Sequence, residues 1–397
     1  MTLPRFLQIH TLHNYPAALL NRDDAGLAKR LPYGDKVRTR ISSQCLKRHW
    51  RVADDVFALK NLGMELEKRS TYFLDEVRKF LLTSGIQEDV ALAAVEGLAE
   101  GLKLKRDEKK KDKFKTKEVL FLGINEVDYL NSFTLEIAKQ HADAKVVRTA
   151  VKDYVESKPK DAKGVRENLK VMFEQCSLAS ALFGRMVTSD VLASRDAAVY
   201  VAHAFTVHEA QVENDYFTAV DDILNDADET GSAGIFDTEL ASGLYYGYVV
   251  VDVPQLMANL EGVHIKDWAN ATPEQRALAG RVVLHLLHLI ATVSPGAKRG
   301  STAPFEWAKF MLVEAGDWQP RSLAGAFQNA LPQNQPALRK AAVQRIADEA
   351  AQLDAAYGAP LVRRYLAVDD VQLPGAERLP LKALAEWAQA IVTRAEA

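Results

Sequence analysis

The sequence predicts an α+β protein on three observations: runs rich in β-branched and aromatic residues lie far apart, long helical stretches separate them, and their order reads β-α-β-β-α-β. Arg5 to Leu12 alternates Leu7, Ile9 and Thr11 against Phe6, Gln8 and His10, as a half-buried strand does. Ser43 to Phe57 follows as a helix. Phe183 to Val187, Ala197 to Val207, Leu244 to Val253 and Phe310 to Val313 supply further strands. Between the last two, Pro273 to Thr292 reads as a helix that Ser294-Pro295-Gly296 stops.

That order is the split βαβ arrangement of ferredoxin-like and RNA-recognition-motif domains, in which an open four-stranded sheet meets RNA. Residues 61–180 carry Leu and Ala at helical spacing and form a helical lobe between the first helix and the second strand. Residues 208–243 are acidic and contain glycine, and they read as a protruding arm between two strands. Residues 316–397 are rich in Ala, Leu and Gln with helical patterning, and are expected to pack beside the core.

A chain of 397 residues, 48% hydrophobic and 26% charged, has enough apolar content for a large core. No apolar run approaches the roughly 20 residues of a spanning helix, and the start MTLPRFLQIH lacks the pattern of a secretory signal, so a cytoplasmic protein without membrane partners is expected. Cys45 and Cys176 are too few for a disulfide scaffold and have no metal-ligand spacing. The net charge of −3 is unevenly placed: residues 1–60 hold eleven Lys and Arg against five Asp, a net +6 that leaves −9 for the rest. Such an asymmetry points the N-terminal part at a polyanion. Lys103 to Lys117 adds nine basic residues against three acidic ones, and its simpler reading is a solvated loop.

The sharpest local signal is DKVRTRISSQCLKRHWR, Asp35 to Arg51. Arg38 and Arg40 alternate along an extended stretch, Ser42 or Ser43 can cap a helix, and Gln44, Lys47, Arg48 and Arg51 recur on one helical face. Leu46, Trp50, Ala53 and Phe57 occupy the other. A helix start with free N–H groups, hydroxyls and cations suits a phosphate, against the simpler reading of a solvated basic face. PGAKRGST, Pro295 to Thr302, brings Lys298 and Arg299 onto a glycine-containing loop. It lacks P-loop spacing and also reads as a plain helix C-cap. Tyr216 and Phe217 sit among Glu213, Asp215, Asp221 and Asp222, a segment too polar to bury easily, and suit base stacking or a partner contact.

Catalysis finds little support. Asp23-Asp24, His10 with His13, and His285 with His288 lack a third ligand at a diagnostic spacing, and HEAQV has Val212 where a zinc peptidase needs its second histidine. No catalytic residue, metal site or cofactor is expected.

Together, LNRDD, RTRISSQCLKRHWR, GRMVTSD, AHAFTVH, YFTAVDD, TELASGLYYGY and PGAK, in order from Leu20 to Lys298, resemble the CasC family, the backbone subunits of type I-E CRISPR Cascade. The resemblance implies a right-hand shape. An RRM-like (ferredoxin-like) palm would comprise 1–60, 181–207 and 244–315, with helical fingers at 61–180, an extended thumb at 208–243, and 316–397 as a helical extension on the palm. It also implies copies stacked head to tail along guide crRNA, with other Cascade subunits and target DNA as partners. Arg22, Ser42, Gln44, Lys47 and Arg48 would then grip the RNA backbone, with Lys298 in support, while Met186 and Phe217 wedge or stack at a displaced base. Basic finger residues of that family attract duplex DNA, which makes Lys105, Lys109, Lys110 and Lys111 the candidates here. Binding any guide sequence calls for contacts to phosphate, 2′-hydroxyl and base faces, which these residue types supply. An acidic arm and a basic core on one chain suit an open head-to-tail array. The alternatives are a metal-dependent endoribonuclease of the same fold acting through Asp23 or Asp24, and a helical adaptor that binds only protein.

Overall fold

Residues Phe6–Ala18 form β1, in the middle of a large, almost wholly antiparallel sheet, and Phe6 to Leu12 are buried whichever face they point to, as a central strand's residues are. In this computed structural model the described residues are 3–63, 68–105, 114–117, 119–122, 124–157, 164–165, 178–184, 195–220 and 232–394. They divide into two compact units. The first comprises Met1–Leu59, Val199–Pro254 and Ala269–Ala397, and the second Lys60–Ala198 and Gln255–Trp268.

In the first unit β1 pairs on one side with β10 (Phe310–Gly316) and on the other with β9 (Ser232–Asp252), so that Ile9 lies opposite both Val313 and Val249. Two short strands, β6 (Val199–Val201) and β7 (Ala204–Thr206), pair with β9. The order β10-β1-β9-β7 is the split βαβ order the sequence predicts, with α1 (Ser43–Arg51) and the helix Pro273–Thr292 as its crossovers. The second helix has the predicted ends. Thr272 and Gln275 make a reciprocal capping box, and Pro273 fills the first turn, where its missing N–H costs nothing.

The sheet is wider than the sequence suggests. β2 (Arg30–Tyr33) and β3 (Lys36–Ile41) form a hairpin at one edge. At the other, β11 (Val362–Ala367) and β12 (Ala376–Arg378) extend the sheet beyond β10, so residues 316–397 are not purely helical. Strand β8 (Gln211–Val220) pairs with the first half of the 21-residue β9, from Gln211 opposite Ser242 to Val220 opposite Ser232.

Three local expectations need correction. Helix α1 stops at Arg51, because Asp55 Oδ1 accepts the Phe57 N–H at 2.9 Å and turns the chain. Phe57 then stacks on His288 with ring centroids 3.6 Å apart. Phe183 closes the helix Leu178–Phe183 where a strand was expected, and residues 185–187 lie outside the described set. The second strand is interrupted at Ala202-His203, giving β6 and β7.

The largest correction concerns the sheet faces. One face carries Tyr15, Ala18, Ala204 and Tyr245, packed with Cys45 and Leu46 of α1. The other carries Leu12, Leu244, Tyr246 and Leu312, and Val343, Ile346 and Ala350 of the helix Leu338–Tyr357 cover it. Adjacent Tyr245 and Tyr246 therefore point into opposite cores, as the period of a strand requires. An RNA-recognition motif leaves one face open to RNA, and here both are covered, so any RNA must meet the unit at helix ends and loops.

Covering that face buries polar groups expected to face outward, Gln8 and His10 among them. The Tyr246 hydroxyl donates to His10 Nδ1 at 2.9 Å, and His10 Nε2 donates to Glu314 at 3.1 Å. Glu314 also accepts from Arg363 Nε at 2.6 Å and Arg321 Nη1 at 2.8 Å. Burial alone raises the Glu314 pKa, but the His10 hydrogen bond and the two guanidinium charges outweigh it and hold the carboxyl well below its ordinary 4.5. Burial keeps His10 neutral, below its ordinary 6.5. Both groups are depressed, so in acid the unfolded chain binds more protons than the folded one, and the stability present at neutral pH is lost as pH falls through the ordinary range of each. The urea midpoint is expected to begin dropping below pH 6.5 on account of His10 and to drop more steeply below pH 4.5, where Glu314 adds its share; a midpoint that stayed flat below pH 4.5 would refute an ionised Glu314 in the core.

The second unit is helical. Phe73–Thr83, Glu88–Gly101, Ile124–Gln140 and Ala144–Glu156 enclose a core of Leu74, Val77, Leu98, Phe133 and Val151, beside a two-stranded ladder of β4 (Lys68–Ser70) and β5 (Leu120–Leu122). Glycine lets two of these helices touch, since a Cβ at Gly97 would meet the Arg148 carbonyl oxygen at 2.3 Å. Among the described residues no helix is long and apolar enough to cross a membrane.

Candidate nucleic-acid interface

Several basic residues of the first unit gather along α1. Ser42 caps the helix: its Oγ accepts the Cys45 N–H at 3.3 Å, and its own N–H donates to Asn21 Oδ1 at 2.9 Å. Asn21 opens the tight turn NRDDAGLAK, which is closed by Asp23 N–H to the Leu27 carbonyl at 2.8 Å and Lys29 N–H to the Asn21 carbonyl at 3.0 Å, with Gly26 at φ +90°. Exposed Arg22 rides on this turn. Buried Glu239 of β9 accepts from the Ala28 N–H at 2.8 Å and from the Arg30 guanidinium, which fixes the turn against the arm base.

A second loop fastens to the last turn of α1. Gly296 N–H donates to His49 Nε2 at 3.4 Å and Ala297 N–H to the Leu19 carbonyl at 2.8 Å, which place Lys298 and Arg299 beside the helix. The Lys298 ammonium donates to the Thr238 hydroxyl, and Arg299 is exposed. Lys298 stands at φ 48°, a left-handed conformation that turns the chain sharply at this point.

The titration of neighbouring groups reports the local field. Burial and then the charges of Arg40 and Lys29 pull His203 below its ordinary 6.5. Burial lowers His49 as well, with Arg299 and Arg48 adding to the effect. Burial raises the Cys45 thiol, while Arg48 and Lys29 pull it back. Lys29 and Arg40 thus lie near His203, Lys29 and Arg48 near Cys45, and Arg48 and Arg299 near His49, which sets these four cations along α1 as a cationic rim. A carboxylate on that rim, Asp23, is held by its own turn, accepting the Ala25 and Leu27 N–H groups at 3.0 Å each.

The CT1975-like protein family matches residues 7–390 of this sequence. The chain belongs to that family. Two solved structures are similar over almost their whole length. A chain of a structure titled "CRISPR RNA-guided surveillance complex, pre-nicking" is 27% identical with a TM-score of 0.77, covering 98% of this chain and 100% of that one. A chain of a "CRISPR RNA-guided surveillance complex" is 23% identical with a TM-score of 0.66, covering 96% and 99%, and shows the shared fold. No curated protein matches.

In this CT1975-like protein the rim gathers most of the predicted residues. Arg22, Gln44, Arg48 and Arg299 are exposed, Arg40, Lys47 and Arg51 are half-buried, Lys298 is exposed beside Thr238, and Ser42 acts as the cap. Arg38 is the exception and leaves the candidate set. It is 0% exposed, donating from Nη1 to the Thr206 carbonyl at 3.1 Å and from Nη2 to the Phe327 carbonyl at 3.0 Å, so its role is internal. The expectation of free N–H groups at the helix start also fails in part, because Ser43 N–H donates to His203 Nδ1 at 3.1 Å and Cys45 N–H to the cap. An anion at this place would meet side chains more than backbone N–H groups. Phe217 lies on β8 opposite Phe236. Met186, Lys109, Lys110 and Lys111 lie outside the described residues, and Lys105 is exposed in the helical unit. Sequence reading missed Lys29, Arg30, His203 and Glu239 as members of this site; Lys29 and Arg30 were visible in the N-terminal charge excess, and the other two had no local signal.

Proposed function

We propose that this protein is the guide-RNA-binding backbone subunit of a type I-E CRISPR surveillance complex, a CasC-type protein that coats crRNA in head-to-tail copies, accepts target DNA by base pairing and performs no chemistry itself. The observation that carries this reading is the cationic rim: cations from the 21–29 turn, from β3, from α1 itself and from the 296–299 loop line one short helix from its capped start to its last turn. That arrangement holds a chain of phosphates without reading base edges, as a guide of arbitrary sequence requires. The similar chains come from structures titled CRISPR RNA-guided surveillance complex, which supports RNA as the ligand. Head-to-tail stacking draws support from charge, since exposed Glu213 and Asp215 near the base of the arm complement the rim of another copy.

The test is to express the chain with a CRISPR array and its companion subunits, purify the assembly and examine its nucleic acid. One discrete small RNA is expected, and well-folded assemblies free of RNA would overturn the reading. The Asp23→Ala/Asp24→Ala variant is expected to retain that RNA, with neither it nor the parent cutting RNA in magnesium or manganese. Metal-dependent cleavage that disappears in the variant would make the protein an endoribonuclease instead.

A further inference from the structure

Two aromatic side chains stand in solvent where the fold gives them no core to join. Phe305 and Trp307 are each 69% exposed, and both belong to the segment that carries Lys298 and Arg299. This segment is not a loose loop. Ser294 Oγ accepts the Glu306 N–H and donates to the Glu306 carbonyl, both at 2.9 Å, which closes residues 294–306 into a ring. Inside the ring Gly296 lies so close to Pro304 that a Cβ would meet its Cγ at 2.5 Å. The Gly296 and Ala297 N–H groups then anchor the whole to His49 and Leu19. Two exposed rings are thus held on a rigid support fixed to α1.

Their chemical surroundings select the ligand. From Ser294 to Lys309 the cations are Lys298, Arg299 and Lys309 and the sole carboxylate is Glu306, which Lys309 neutralises at 2.7 Å. Trp307 also walls a groove of about 690 Å³ lined by Lys309, paired with Glu306, and by Arg378, paired with Asp370 at 3.9 Å, so both cations of the groove are compensated and the cationic character of the segment rests with Lys298 and Arg299. Rigid aromatic faces beside cations are how sequence-indifferent sites hold single-stranded nucleic acid, the rings taking bases and the cations the backbone.

We propose that Phe305 and Trp307 are base-stacking residues for single-stranded RNA, continuing the path of the strand from the cationic rim along the 294–307 loop. This rests on the guide-RNA reading above. The test measures binding of the full-length chain to a mixed-sequence single-stranded RNA, and to the same RNA with its bases removed at intervals, across a salt series. Phe305→Ala/Trp307→Ala is expected to weaken binding to the intact RNA about tenfold, to leave the salt slope unchanged, and to differ little from the parent on the abasic RNA. Phe305→Tyr/Trp307→Phe keeps ring faces and is expected to restore affinity, which a folding defect would not allow. An equal loss on both RNAs would overturn stacking. So would full RNA affinity in the alanine variant accompanied by weaker self-association in sedimentation, which would make the two rings a protein-docking patch. If that variant binds like the parent while Lys47→Glu/Arg48→Glu does not, stacking fails and the RNA reading stands; if the parent itself captures no RNA, both fall.

Discussion

Lys47→Glu combined with Arg48→Glu is expected to lower affinity for single-stranded RNA by about two orders of magnitude or more at moderate salt. Each reversal removes a cation from the rim and places a carboxylate where a phosphate would sit. The neighbouring cations Lys29, Arg40 and Arg299 then face part of their charge towards protein instead of ligand. The dependence of log affinity on log salt should flatten as well, by roughly 0.7 for each phosphate of a single strand that is no longer neutralised. The fold should survive, because Arg48 is exposed and buried Trp50 holds the helix to its core. Arg48 also lies in the last turn, where a negative charge opposes the helix dipole at a cost of about 0.3–1 kcal/mol. Far-ultraviolet circular dichroism should therefore match the parent. Unchanged RNA affinity at low salt would remove the rim as the binding site.

The parts of this fold legible in the sequence are those set by local chemistry. Pro273 marks one helix start, Ser294-Pro295 its end, and the alternation from Phe6 onward marks the central strand, because helix breakers and strand periods act within a few residues. What was hidden depends on groups distant in sequence. Nothing near Gln8 or His10 announces that Arg321, Arg363 and the helix Leu338–Tyr357 will cover their face, and without that cover the sheet would have remained an open RNA platform. The rim was half legible for the same reason: Arg22, Gln44, Lys47 and Arg48 lie on short local motifs, whereas His203, in the break between β6 and β7, and Glu239 of β9 arrive from about 160 and 210 residues away. The predicted pair Arg38 and Arg40 divides along this line. Alternation places them on one strand face, yet which arginine meets solvent is decided by carbonyls that β7 and the 324–328 segment bring to Arg38.

That division yields a crossed prediction. Arg38→Met keeps similar length and volume but leaves the Thr206 and Phe327 carbonyls without their donor and breaks the link to Asp35, which lies 3.3 Å from Nη2. Asp35 in turn accepts the Ala330 N–H at 2.8 Å, and the Gly34 backbone lies so near Gln328 that a Cβ would fall 1.6 Å from its carbonyl oxygen, so this turn and the Gly325–Ala330 segment depend on one another. Two buried carbonyls without donors destabilise by about 2–4 kcal/mol in total. A clear fall in the urea midpoint is expected, with RNA affinity and salt slope near the parent's when measured where the variant is folded. Arg40→Met should behave in the opposite way: Arg40 is half-exposed, donates from Nε to the Arg30 carbonyl at 3.2 Å and adds to the field on His203, so its loss should weaken RNA binding and flatten the salt slope with little change in stability. If instead Arg38→Met left the midpoint untouched and cost RNA affinity, the guanidinium would have to reach solvent in the working protein, and the β2–β3 hairpin would have to open away from Phe327 to let it do so.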